Sequence, residues 1–149
     1  MKYYINAMAR SIREVSSKLL DHSDVVVDHI IKLYFMPNHS ARNHWKKEIA
    51  MQINSVDVLK GTNKRPTKNQ IFKWTYEEVK FNLQDTGWIA ETIKDICYNY
   101  SVTITVSPDE ASEDLDSICQ EYFKWMAEYL SRVGKISTDE IYRKLDELL

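Results

Sequence analysis

Apolar side chains recur at alternating spacings of three and four along almost the whole chain, and only three glycines and three prolines are there to interrupt them. That period belongs to the amphipathic helix, in which one stripe turns toward a core and the rest toward water. Ile5, Met8, Ile12, Val15 and Leu19 form the first stripe and predict a helix over 3–20. A second helix is predicted from about Asp24 to Phe35, where Val25, Val26, Val27, Ile30, Ile31 and Leu33 leave almost no polar face, so it belongs at the centre; Pro37 stops it. Ser40 is placed to cap a third helix whose seam of Trp45, Ile49, Ile53, Val56 and Leu59 runs to Gly61.

A loop from Thr62 to Pro66 follows, and Thr67 with Gln70 has the spacing of a capping box that opens a fourth helix with Phe72, Tyr76, Val79 and Leu83 on one face. Gly87 ends or bends it, and Trp88 to Tyr100 repeats the pattern with Ile89, Ile93, Ile96 and Tyr100. Between Ser101 and Val106 the period changes to two, with β-branched residues at alternate positions. Three outcomes fit that stretch equally: the end of the fifth helix, an extended connector, or a strand that pairs with another chain.

Ser107-Pro108-Asp109-Glu110 combines an N-cap, a proline at the first helical position and acids in the first turn, the strongest helix start in the chain. Leu115, Ile118, Tyr122, Trp125, Tyr129 and Val133 are expected to line the buried side of that helix until Gly134 closes it. Ser137 with Glu140 opens a last helix bearing Ile141, Leu145 and Leu148. The expected fold is all-α: a single domain over 1–149, built as an irregular bundle of six to seven helices, with one short extended segment near 101–106 left open. No run of about 18 apolar residues suggests a membrane span, and the first residues lack the apolar core of a signal peptide, so a cytoplasmic protein with no membrane contact is expected.

Cys97 and Cys119 stand alone in apolar helical surroundings and read as reduced core thiols. A catalytic thiol would need a histidine nearby, and all four histidines precede residue 45. His22, His29, His39 and His44, with Asp24 or Asp28, invite a metal reading, yet their spacings do not put ligands on one helical face as a zinc helix requires, so no metal or other cofactor is expected. His29, on the apolar second helix, reads as a core histidine bonded to a carbonyl. The pairs Glu77-Glu78 and Asp109-Glu110 lie among other charges and read as solvated carboxylates. No phosphate-binding glycine loop, Gly-x-Ser-x-Gly elbow or Cys-x-x-Cys pair is present, which argues against an enzyme.

The segment His29-Ile30-Ile31-Lys32-Leu33-Tyr34-Phe35-Met36-Pro37, followed by Ser40, Arg42 and Trp45, resembles the motif region of the helical family catalogued as domain of unknown function 29. The resemblance covers about residues 29–45. It implies an all-helical fold and, because that family has no established activity, nothing further about function.

Charge is distributed unevenly along the chain. Residues 1–80 hold 14 Lys and Arg against 8 Asp and Glu, whereas residues 81–149 hold 6 against 14, giving +6 and −8 within a net charge of −2. From Asp95 to Phe123 there is no basic residue at all. An acidic helix carrying Asp109, Glu110, Glu113, Asp114 and Asp116 would suit a protein partner with a basic surface, such as an enzyme that acts on nucleic acids, with carboxylates standing where phosphates bind. An inhibitor, immunity or antitoxin-type role in protein–protein interaction is the expectation; a solvated helix face is the plain alternative. The opposing reading is nucleic-acid binding through Lys60, Lys64, Arg65, Lys68 and Lys73, which surround a loop beside Phe72 and Trp74.

Overall fold

One long helix sets the architecture. The computed structural model describes residues 2–58, 66–84 and 86–149, with side chains described from residue 13 onward except at 78 and 80–84. In it α1 runs unbroken over Lys2–Phe35. The helices expected over 3–20 and 24–35 are therefore one element. The polar run Asp21-His22-Ser23-Asp24 reads as a boundary, but the Ser23 hydroxyl donates to the Leu19 carbonyl one turn back at 2.8 Å, and His22 meets Tyr122 of a later helix, so neither buried group has to leave the helix to find a partner.

Five helices follow: α2 over Arg42–Asn54, α3 over Lys68–Gln84, α4 over Gly87–Tyr100, α5 over Pro108–Val133 and α6 over Thr138–Leu148. No strand occurs among the described residues. The stretch after Tyr100 is an extended connector: Val102 and Ile104 pack against the core while Ser101, Thr103 and Thr105 face water, which accounts for the two-residue alternation without a partner strand.

Capping follows the sequence closely at three starts. The Thr67 hydroxyl accepts from the Gln70 backbone N–H while the Gln70 side chain accepts from the Thr67 N–H, a complete capping box. Ser107 and Ser137 each accept from the backbone N–H of the glutamate three residues on, Glu110 and Glu140. Gly134 ends α5 at φ 93°, a left-handed conformation that glycine adopts without a Cβ clash.

Two boundaries differ from expectation. Ser40 caps nothing: α2 begins after Ala41, which makes no side-chain cap, and the local bonding instead runs through His39, whose Nδ1 accepts from the Ala41 N–H at 3.0 Å. At its other end α2 stops at Asn54 instead of reaching Gly61; Val56 and Val58 are buried from the turn beyond it, where the Val58 N–H donates to the Gly134 carbonyl. Leu59 and Gly61 lie outside the described residues, as does Leu83 of α3 for its side chain.

The most extensive packing joins α3 to α5; α1 lies against α2, α3, α4 and α5, and α6 closes on α2 and α5. The core combines Leu19, Val27, Ile30, Ile31 and Leu33 of α1 with Trp45, Ile49, Ile53, Ile71, Ile89, Ile96, Tyr122 and Phe123. On α5 the buried stripe is Ala111, Leu115, Cys119, Tyr122, Phe123, Met126, Ala127 and Leu130. Only Leu115 and Tyr122 of the expected line are fully inside: Ile118, Trp125 and Tyr129 are half-buried and Val133 is exposed. The small residues Ala111, Cys119 and Ala127 are buried on α5, while its larger Trp125 and Tyr129 sit at the rim.

Candidate protein-binding surface

The five carboxylates singled out on α5 divide into two groups once the helix is in place. Asp109 and Glu110 lie in the first turn, where the free N–H groups favour negative charge, and both are exposed. Glu113 is exposed one turn further on. Asp114, though exposed, and Asp116 are each bonded to a tyrosine of another helix. The Tyr34 hydroxyl of α1 donates to Asp114 at 3.0 Å, and the Tyr76 hydroxyl of α3 donates to the half-buried Asp116 at 2.5 Å. Burial, reinforced by the bond to Asp116, raises the Tyr76 phenol above its usual range, so it stays a donor. Asp116 thus holds α3 to α5, leaving Asp109, Glu110 and Glu113 as carboxylates with no hydrogen-bonding role for their side chains among the described residues.

Ion pairing accentuates the contrast. Among the described residues, Asp28 pairs with Lys32, Asp146 with Arg42 and Lys46, Asp57 with Lys135, and Glu140 and Glu147 with Arg143, whereas none of the five α5 carboxylates lies within ion-pair distance of a cation. The Lys46 hydrogen bond, followed by the Arg42 guanidinium, holds Asp146 below the usual carboxylate range. Those contacts join α2, from the basic half of the chain, to α6, from the acidic half. Folding therefore neutralises part of the sequence polarity and leaves the start of α5 out of that neutralisation.

Next to α5 in the chain, α4 turns Glu91, Asp95 and Tyr98 outward at spacings of four and three, and Tyr98 is 88% exposed. Sequence reasoning passed over this tyrosine, although its position off the stripe of Ile89, Ile93, Ile96 and Tyr100 was a usable signal.

The basic constellation is only partly in view. Lys60, Lys64 and Arg65 lie outside the described residues; Lys68 and Lys73 are exposed on α3. The two aromatics beside them do not form one platform. Phe72 is turned toward α5, while Trp74, two residues and about 200° further round the helix, lines a separate cleft with Ser16, Ser17 and Leu20 of α1.

Three of the four histidines bond or pack within the fold. His22 is fully buried, its Nε2 2.9 Å from the Tyr122 hydroxyl, and burial pushes it down to about 3. His29 places Nδ1 2.7 Å from the Val25 carbonyl, the local bond expected for it. His39 stacks on Trp45, with Tyr100 edge-on to both, and His44 is exposed beside Glu48. Among the described residues no group of three or more His, Cys, Asp or Glu side chains is placed to hold a metal ion. Cys97 and Cys119 are both free thiols; Cys119 is buried and burial raises it well above the thiol range, which leaves it inert as a nucleophile. Among the described residues no helix is long and apolar enough to cross a membrane. No family model, curated protein or solved structure matches the chain.

Proposed function

We propose that this protein is a cytoplasmic binding module of the inhibitor, immunity or antitoxin type, which presents the N-terminal part of α5 to a basic surface on another protein, such as an enzyme that acts on nucleic acids. The observation that carries the reading is the set of exposed carboxylates Asp109, Glu110 and Glu113 within two turns at a helix start, none ion-paired or hydrogen-bonded through its side chain among the described residues. Carboxylates held on a helix accept bidentate hydrogen bonds from arginine and speed encounter by long-range attraction. Tyr98, exposed one turn beyond Asp95, adds the amphipathic ring that protein interfaces favour at their centres.

The test is a pull-down from extract of the native cells, with wild type beside Asp109→Lys/Glu113→Lys and beside Tyr98→Ala, at low and moderate salt. A basic protein retained by wild type at low salt, weakened by salt and lost with the charge reversal is the expected result. Equal retention by wild type and the reversed protein would show that this end of α5 is only a solvated face.

A further inference from the structure

Where the first turns of α3 run along the middle of α5, the two helices leave a cleft of about 340 Å³ lined by Lys68, Asn69, Phe72, Lys124, Ala127 and Glu128. Its walls are periodic. Lys68, Asn69 and Phe72 share one face of α3, and Lys124, Ala127 and Glu128 share one face of α5, each at spacings of three and four. The volume falls at the small end of the range of about 300–1,000 Å³ typical of ligand sites.

We propose that this cleft binds a nucleoside monophosphate unit, the base on Phe72 and the phosphate between Lys68 and Lys124. Phe72 is half-buried and stacked on Tyr76, with ring centroids 5.1 Å apart and planes at 25°. Tyr76 is itself fixed by its bond to Asp116, so the Phe72 ring is held in place as a wall against which a flat heterocycle can lie without further ordering. Ala127 opposite it has no side chain beyond Cβ to fill the space.

The polar groups sort themselves around that wall. Lys68 and Lys124 come from different helices, are both exposed, and make no ion pair among the described residues, so a phosphate entering between them displaces no internal partner. Lys68 is the first residue of α3, and the backbone N–H groups of that turn not taken by the capping box add positive potential on the same side. Glu128 offers an acceptor for an exocyclic amino group; Asn69 offers both donor and acceptor. The site is separate from the acidic surface of the proposed function and does not depend on it. A free mononucleotide and one nucleotide of a single strand present the same chemistry.

The whole chain is titrated with the four ribonucleoside monophosphates, with adenosine, with inorganic phosphate and with a short single-stranded RNA, by calorimetry and by amide chemical shifts. At least one monophosphate is expected to bind about tenfold or more tightly than either adenosine or phosphate, because base and phosphate contacts act together. Phe72→Ala and Lys124→Glu are each expected to weaken it about tenfold, shifts being confined to α3 and α5. Lys124 is exposed, so its reversal keeps the fold should Phe72→Ala perturb it. RNA bound more tightly than the mononucleotide, and lost with the same substitutions, would assign the unit to a polymer. Phosphate binding as well as the monophosphates, an adventitious ion only, overturns the proposal, as does binding that both substitutions leave unchanged.

Discussion

His22 and Tyr122, a hundred positions apart, meet in the core with the imidazole Nε2 2.9 Å from the phenol oxygen. The other ring nitrogen, Nδ1, is buried without a hydrogen-bond partner among the described residues. With the phenol donating to Nε2, the imidazole is neutral with its proton on Nδ1; the reverse arrangement would leave both that nitrogen's lone pair and the phenol proton without a partner.

Stability should therefore fall in mild acid. Burial pushes His22 from 6.5 down to about 3, so between those values the unfolded chain binds a proton that the folded chain refuses. The contribution is complete above about pH 6.5 and is lost as the pH falls toward about 3, a total of about 5 kcal/mol and about 2 kcal/mol by pH 5. Urea denaturation at several pH values should show this slope in wild type and a flatter one in His22→Leu. Equal slopes would remove His22 as the cause.

Trp45 and Trp125 should part company on truncation. Trp45 is 2% exposed and packed with His39 and Tyr100, so Trp45→Ala should lose about 3–5 kcal/mol. Trp125 is half-buried at the rim between Tyr122 and Tyr129, with Lys144 over its ring, and Trp125→Ala should lose about half as much. Chemical denaturation of the two variants compares them directly; similar losses would place Trp125 in the core after all.

Removing the Tyr76 hydroxyl separates a structural carboxylate from a binding one. Tyr76→Phe should destabilise by about 1.5 kcal/mol or more, the lower end for a bond to a charged group whose carboxylate keeps some contact with water. Glu113→Lys, at an exposed carboxylate without a described partner, should change stability by less than about 0.5 kcal/mol. Thermal melts of both variants check the distinction, and a large loss for Glu113→Lys would show a hidden partner.

Serine caps give a further contrast. Ser107→Ala and Ser137→Ala should each lose about 1 kcal/mol, because each hydroxyl satisfies a backbone N–H at a helix start. Ser40→Ala should be neutral within about 0.5 kcal/mol, since α2 starts without it. Equilibrium unfolding of the three alanine variants tests the set.

Much of the fold was legible because its signals are local. A cap is decided by residues three apart, and Thr67, Ser107 and Ser137 lie where sequence reading put them. The Ser40 cap failed locally, at His39 and Ala41, but the larger failures depended on distant partners. Nothing near His22 announces Tyr122, so a polar run inside α1 looked like a helix boundary. Cys119 was legible as a core residue, but nothing near α5 says that Ala127 faces inward while Trp125 and Tyr129 sit at the rim, because side-chain size is a poor guide where several helices press on one.

The candidate surface was half legible for the same reason. Exposed acids at a helix start can be read from composition, but the bonds that engage Asp114 and Asp116 come from Tyr34 and Tyr76, 80 and 40 residues away. The cleft between α3 and α5 was half legible: Lys68 and Phe72 stood in the basic segment read for nucleic acid, but nothing joined them to Lys124, more than fifty residues away.

The unbroken α1 also dictates the order of assembly. This helix emerges from the ribosome well before α5, yet its central stripe of Val26, Val27, Ile30 and Ile31 is fully covered only in the completed bundle. Until α3, α4 and α5 are made, that apolar stripe lacks the neighbours that cover it. Docking α2 across α1 shields part of that stripe early, because the two are adjacent in the chain. The remainder waits for the most distant contact, which makes the nascent α1 the segment with the longest claim on a chaperone.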